Sequence, residues 1–199
     1  MEEKIKLILF PGHYPRNPGA CYYGLIEHFE SCKVIDALIP ILSKKYEIFT
    51  FIGNPIEKAV FARQANADYI FDIHFNADPD NDSNDLIGRG TEVLINPYIE
   101  KNNKLYDLAE SISNSISTIL EIPNRGIKPG WNRNNPQQLY YILKQFPEKA
   151  LLIETLFIDN KKESEFLLNK EYLKIASAIA SGIQRSLFIP NQPDIRSPS

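Results

Sequence analysis

Apolar positions along the chain follow two periods that alternate. Lys4 to Phe10 begins by alternating charged and apolar residues and ends as a continuous apolar run, the pattern of a strand entering a core. Ile26, Phe29, Val34, Leu38, Ile41 and Leu42 recur at near-helical spacing, which predicts a long helix in spite of Pro40. Glu47 to Ile52 returns to strand character. Asn54-Pro55 then offers a cap residue and a first-turn proline, so a helix is predicted from there to about Asn66. Tyr69 to Phe75 is dense in aromatic and β-branched residues, as a strand covered on both faces requires. Gly90 to Ile95 predicts a fourth strand, and Leu105, Leu108, Ile112, Ile116 and Ile119 mark one face of another long helix. Gln138 to Lys144 reads as a short helix and Ala150 to Glu154 as the last strand. Ile175, Ile179, Ile183 and Leu187, with Ala176 and Ala180, form the closing helix.

This alternation predicts an α/β fold: one domain over residues 1–189, with a largely parallel mixed sheet of about five to six strands and helices on both faces. Residues 190–199, rich in Pro, Ser and Asn, are expected to form a flexible tail. Pro11 to Gly24 and Asn124 to Pro136 interrupt the pattern. The second is too polar and broken for regular structure and longer than a connection needs, which marks a functional loop. Trp131, the single tryptophan, either stacks on a sugar or peptide face there or closes the rim of the core. The acidic run Asp78 to Asp85 lacks the glycine and the closing glutamate of a calcium loop and is read as solvated.

Composition narrows the function classes. A chain of 199 residues that is 43% hydrophobic can bury a core as one domain without cross-links. A net charge of −3 with dispersed basic residues argues against nucleic acid as partner. No apolar run reaches membrane-spanning length, so no membrane insertion is expected. Cys21 and Cys32 make neither a disulfide framework nor a Cys-x-x-Cys pair and are read as reduced thiols. The N-terminus enters the first strand without a leader-like segment, so the chain is expected to stay cytoplasmic until it is released to act elsewhere.

The chemistry follows from where the strands end. His13 follows the first apolar run, His74 ends the third strand, and Glu154 ends the last. In an open α/β sheet the loops at the carboxyl ends of strands share one crevice, so these three residues can converge. Two histidines and a carboxylate are a hydrolytic zinc set that leaves a fourth position open, whereas a structural zinc site would call for cysteine. Glu27 stands where the first helical pattern begins. Asp72 shares a strand face with His74; it is either a partner that orients the imidazole or a polar residue satisfied elsewhere.

In order along the chain stand Pro11-Gly12-His13, Pro18-Gly19-Ala20, Gly24-Leu25-Ile26-Glu27, Arg63 with Ala65-Asn66, and Ile73-His74-Phe75-Asn76-Ala77. Gly90-Thr91-Glu92-Val93, Asn124-Arg125-Gly126 and Leu152 to Asn160 follow. This ordered series resembles the zinc-dependent N-acetylmuramoyl-L-alanine amidases, including catalytic domains of phage endolysins, from Ile5 to about Leu187. The resemblance implies one zinc ion held by His13, Glu27 and His74, with Glu154 as the catalytic carboxylate and peptidoglycan as the substrate. Glu30, one turn beyond Glu27, is the alternative ligand, and His28 is read as a surface residue. Asn76, Asn124, Arg125 and Trp131 are the candidate substrate contacts. Tyr14-Pro15, Asp72 and Leu156 depart from residues common in the family. Two other classes stay open: a zinc hydrolase cutting within wall peptides, and a non-catalytic wall-binding module.

Overall fold

The computed structural model describes residues 4–78, 88–133 and 135–187. The elements run β1 (Lys6–Pro11), β2 (Cys21–Tyr22), β3 (Leu25–Ile26), α1 (Glu27–Leu42), β4 (Glu47–Thr50), α2 (Pro55–Ala65), β5 (Tyr69–Asn76) and β6 (Thr91–Ile95). They continue as α3 (Lys104–Leu120), β7 (Asn124–Pro129), β8 (Trp131–Asn132), β9 (Asn135–Leu139), α4 (Tyr141–Gln145), β10 (Ala150–Phe157), α5 (Lys161–Leu168) and α6 (Tyr172–Leu187). The α/β class and the mixed, mostly parallel sheet agree with the pattern read from the sequence. Among the described residues no helix is long and apolar enough to cross a membrane.

Six strands make the main sheet in the order β4-β1-β5-β10-β6-β7. The first four are parallel; β6 runs antiparallel to β10, and β7 is parallel to β6. β10 is therefore inserted between β5 and β6, which are neighbours in sequence but not in the sheet. The larger core lies on the face carrying α1, α3 and α6, where Leu9, Phe71, Ile73, Ile153, Ile112 and Ile179 pack together. Ile8, Phe10, Ile70, Leu94 and Leu152 point the other way and meet Ala62 of α2 and Ile142 of α4. Strand alternation sends His74 and Glu154 to this second face, in the carboxyl-terminal halves of β5 and β10.

Several local structures follow from their residues. Asn54 caps α2 by accepting from Ile56 and Glu57 N–H, and Glu57 bonds back to the Asn54 N–H in a capping box. Tyr23 and Gly24, both at positive φ (53° and 79°), make the two-residue turn of the β2–β3 hairpin that delivers Glu27 to the start of α1.

The stretch from Asn124 departs from the loop expected of it. Residues 124–129 form β7, whose charged and polar side chains suit the exposed edge of a sheet. Trp131 to Leu139 is a hairpin, so the short helix begins at Tyr141 and not at Gln138. The last strand runs on to Phe157, and α5 had no counterpart in the apolar pattern. Its signal is the cap Asn160, which accepts from Lys162 and Glu163 N–H. Most of the acidic run after Asp78 and the tail at 190–199 lie outside the described residues.

Candidate metal centre

The first histidine of the cluster is placed by the end of β1. Gly12 N–H donates to Ile73 O at 2.7 Å, tying the β1 terminus to β5, and His13 then takes a left-handed backbone (φ 58°). Such a φ is uncommon for a residue with a side chain and turns the imidazole back over the sheet end. Space is scarce: a Cβ on Gly12 would lie 2.7 Å from His74 Nδ1, and one on Gly19 would lie 2.3 Å from Glu27 Oε2. Both glycines are needed for close approach to the cluster.

Glu27 joins the two histidines. Its Oε2 is 3.0 Å from His13 Nε2 and its Oε1 is 2.9 Å from His74 Nδ1. Ala20 N–H donates to Oε2 at 3.0 Å and Phe75 N–H to Oε1 at 3.2 Å, so the carboxylate is fixed from both sides. The histidine and carboxylate ligand atoms all lie within 4.8 Å of one another. Burial by itself would raise the Glu27 pKa, but hydrogen bonds and charge from His13 and His74 hold it well below the usual carboxylate range. His74 is also displaced. Burial opposes its charge, yet Asp72 first and Glu27 second push it up to about 10. Lone-pair atoms of an anionic carboxylate and two imidazoles come this close only with protons or a cation between them. The residues therefore fit a divalent metal such as zinc, with three protein ligands and room for a fourth partner.

Glu30 takes no part. It accepts from Lys33 and from Tyr172 OH, on the far side of α1. His28 is not a surface residue, as had been expected, but is 1% exposed. Its Nδ1 lies 2.9 Å from Gly12 O, a contact that supports the backbone just before His13. Cys21 and Cys32 are free, in agreement with the sequence reading.

Asp72 lies behind His74, with Oδ2 3.5 Å from Nε2. Its Oδ1 accepts from Lys58 Nζ at 2.8 Å, and the same ammonium donates to Pro11 O at 2.6 Å. Lys58 thus bridges the ends of the two strands that carry the histidines. It is 3% exposed, a burial tolerable for a lysine only because it is paired.

Glu154 faces the cluster from β10, in register with His74 on one side and Glu92 on the other. It is 6% exposed, and its Oε2 has no hydrogen-bond partner among the described residues. Burial pushes its pKa up to about 7, with His74 and Arg133 pulling down and Glu27 and Glu92 pushing up. These groups border a cavity of about 590 Å³ whose walls also include Tyr14, Asn17, Asn76, Arg133 and Tyr140.

Of the candidate substrate contacts, Asn76 lines this cavity, while its amide donates to Glu92 at 2.9 Å. Arg125 instead supports Glu92 from behind, with Nε 2.8 Å from Oε2 and its guanidinium over the Phe157 ring. Asn124 is exposed and bonds to Asn114 and to Gly126 N–H, outside the cavity lining. Trp131 stands on β8, 36% exposed, and does not line the cavity either. Sequence reasoning passed over Arg133, Glu92, Lys58 and Tyr140. Only Glu92 carried a signal, as part of Gly90-Thr91-Glu92-Val93.

The family profile described as N-acetylmuramoyl-L-alanine amidase matches residues 7–185. The chain is 28% identical over 186 residues to the N-acetylmuramoyl-L-alanine amidase LytC of Bacillus subtilis (strain 168), an alignment covering 88% of the chain and 34% of LytC. It is 26% identical over 184 residues to the endolysin of Bacillus phage SPP1, covering 88% of the chain and 64% of the endolysin. The chain thus spans about a third of the first relative and under two thirds of the second. The solved N-acetylmuramoyl-L-alanine amidase from Clostridium difficile 630 superposes with a TM-score of 0.77 at 21% identity, over 94% of this chain and 98% of that one.

Proposed function

The chain belongs to the N-acetylmuramoyl-L-alanine amidase family, and from that premise we propose that it hydrolyses the amide between the muramoyl lactyl group and L-alanine in peptidoglycan. His13, Glu27 and His74 would hold one zinc ion and Glu154 would act as general base. Held there, zinc would supply Lewis acidity toward the carbonyl and would lower the pKa of water from about 15.7 to about 7.

The remaining work falls to side chains. Glu154 takes the proton of the attacking water and returns it to the departing amine, and burial, which raises its pKa, favours a group that must both accept and give back a proton. Glu27 stays anionic between two imidazoles. Asp72 faces Nε2 of His74, which leaves Nδ1 toward the ligand cluster. The observation that carries the proposal is the Glu154 carboxylate, buried and lacking a partner on one oxygen among the described residues, beside a cluster that could hold a metal. A purely wall-binding module would have no use for such a group.

The test is digestion of purified peptidoglycan by the zinc-loaded protein, with mass spectrometry of the products. New L-alanine amino termini and intact lactyl sugars are expected. Termini inside the peptide, or no release at all, would overturn the proposal.

A further inference from the structure

The cavity holds a cation that the hydrolytic chemistry does not use. After β7 the chain turns at Gly130, whose N–H donates to Ile95 O at 2.8 Å, and the β8–β9 hairpin brings Arg133 to the metal cavity. There its Nη2 meets Glu92 Oε1 at 2.5 Å, and its Nη1 meets Asn76 Oδ1 and, at 3.4 Å, Ala77 O. Glu92 and Asn76 are 3% and 2% exposed, so a built, rigid base holds the guanidinium. The Arg133 side chain itself remains 39% exposed.

Two features of this base point to a ligand. Glu92 is shared by Arg125 and Arg133, so one carboxylate is divided between two guanidiniums and pairs fully with neither. The contacts also occupy the Nη1/Nη2 end of Arg133. Its other fork, Nε with the outer N–H of Nη2, has no partner among the described residues. That fork is the planar, two-donor edge that matches a carboxylate.

We infer that Arg133 binds a free carboxylate on the peptide side of the scissile bond, so that the site distinguishes acidic stem peptides from amidated ones. The inference rests on the amidase reading above and names its substrate more closely. Glycan hydroxyls and acetamides are neutral, and the lactyl carboxyl is consumed in the amide, so the carboxylates of the substrate are on the peptide. Glu92 is the register partner of Glu154, and opposed side chains on neighbouring strands are about 5 Å apart. A peptide advances about 3.5 Å per residue, so the open fork lies within one or two residues of the bond that Glu154 serves. The L-alanine carboxyl is tied into the next peptide bond. The nearest free carboxylate is therefore that of the second residue, the α-carboxylate of a γ-linked glutamate, which amidation would convert to a neutral carboxamide.

The test compares two muramoyl-peptides that differ only in that group, carboxylate or carboxamide, with zinc-loaded wild type, Arg133→Gln and Arg133→Lys. A charge-assisted bidentate contact predicts that wild type favours the acid by about 10- to 100-fold in kcat/KM, mostly through KM. In Arg133→Gln the ratio for the two substrates should collapse to near one, and Arg133→Lys should recover part of it. Melting curves of both variants establish that they are folded. Equal wild-type turnover of the two substrates, or an equal loss on both in Arg133→Gln, would overturn the inference and leave Arg133 as a counter-charge to Glu92. Cleavage of neither substrate would count against the amidase reading instead. In that event calorimetric binding of L-alanyl-γ-D-glutamate and of its carboxamide to Glu154→Gln protein still decides: a preference for the acid that Arg133→Gln abolishes supports the inference, and equal binding overturns it.

Discussion

Replacing Lys58 by methionine removes an ammonium and keeps most of the side-chain volume, so its effect reports on the ion pair beneath the histidines. In the native structure Lys58 and Asp72 are 3% and 6% exposed, and water cannot screen the pair. Without Lys58, Asp72 loses its 2.8 Å partner and Pro11 O loses its 2.6 Å donor. Breaking a buried pair from one side costs about 3–5 kcal/mol, and Asp72 would then keep only His74, 3.5 Å away, as a charge partner. For a domain of this size each kcal/mol moves Tm by about 2–4 °C, so a fall of about 6–20 °C is expected. The double variant Lys58→Met/Asp72→Asn removes both charges of the pair, together with the carboxylate facing His74 Nε2, and should recover part of the loss, giving a coupling of about 2–3 kcal/mol in a double-mutant cycle.

Acid provides an independent check. Burial tends to raise the Asp72 pKa, but Lys58 first and His74 second bring it down to about 2 from 3.8. A depressed folded-state pKa gives stability that is present above 3.8 and lost as pH falls toward 2. Removing Lys58 raises the folded-state value. The gap between wild type and variant should therefore be widest at neutral pH and narrow steadily as pH falls toward about 2. Urea denaturation with a chelator present, from pH 3 to 8, measures both quantities. A cost under about 1 kcal/mol, or single-variant costs that simply add, would refute the reasoning.

Glu154→Gln should keep zinc near one per chain while turnover falls by about 10²- to 10⁴-fold, whereas Glu27→Gln should lose zinc to a mild chelator; metal analysis beside peptidoglycan release separates the two roles. Gly19→Ala, whose Cβ would meet Glu27 Oε2 and His13 Cδ2, should weaken metal binding more than it lowers Tm, read by chelator competition and calorimetry. With chelator present, the protonated His74 gives stability that is full below pH 6.5 and lost as pH rises to about 10; a Tm that stays flat over that interval would contradict the assigned contacts.

The convergence of the candidate residues was legible because it depends on where strands run out and helices start, which apolar periodicity marks. His13 follows β1 and Glu27 opens α1, while His74 and Glu154 lie two and three residues before the ends of β5 and β10. Strand direction leaves no such mark. Nothing in the composition of Thr91 to Ile95 distinguishes an antiparallel strand from a parallel one. Consequently the start of β6, with Glu92, could not be placed beside the end of β10. Edge strands hide for a related reason: β7 buries little, so its residues read as loop. His28 was misjudged because its burial comes from a bond to the Gly12 carbonyl, a tertiary contact absent from helical spacing. Arg133 needed two such steps, the hairpin and then the reach to Glu92.

The position of β10 also bears on how the chain comes to be active. Growing from the N-terminus, it can pair β1 with β4 and β5 and bring His13, Glu27 and His74 together early. The edges of β5 and β6 that β10 will join must nevertheless wait, since Ile70 finds its partner only when Ala150 arrives. Until then both strands present unpaired backbone and apolar side chains, the surface that favours misassembly and calls for chaperones. Closing this gap joins contacts far apart in sequence and is the slow kind of step in folding. The strand that closes it carries Glu154, so under the proposed roles a half-made chain would have the histidine–glutamate cluster but not the base. On that reading, completion of the sheet and onset of hydrolysis would be one event.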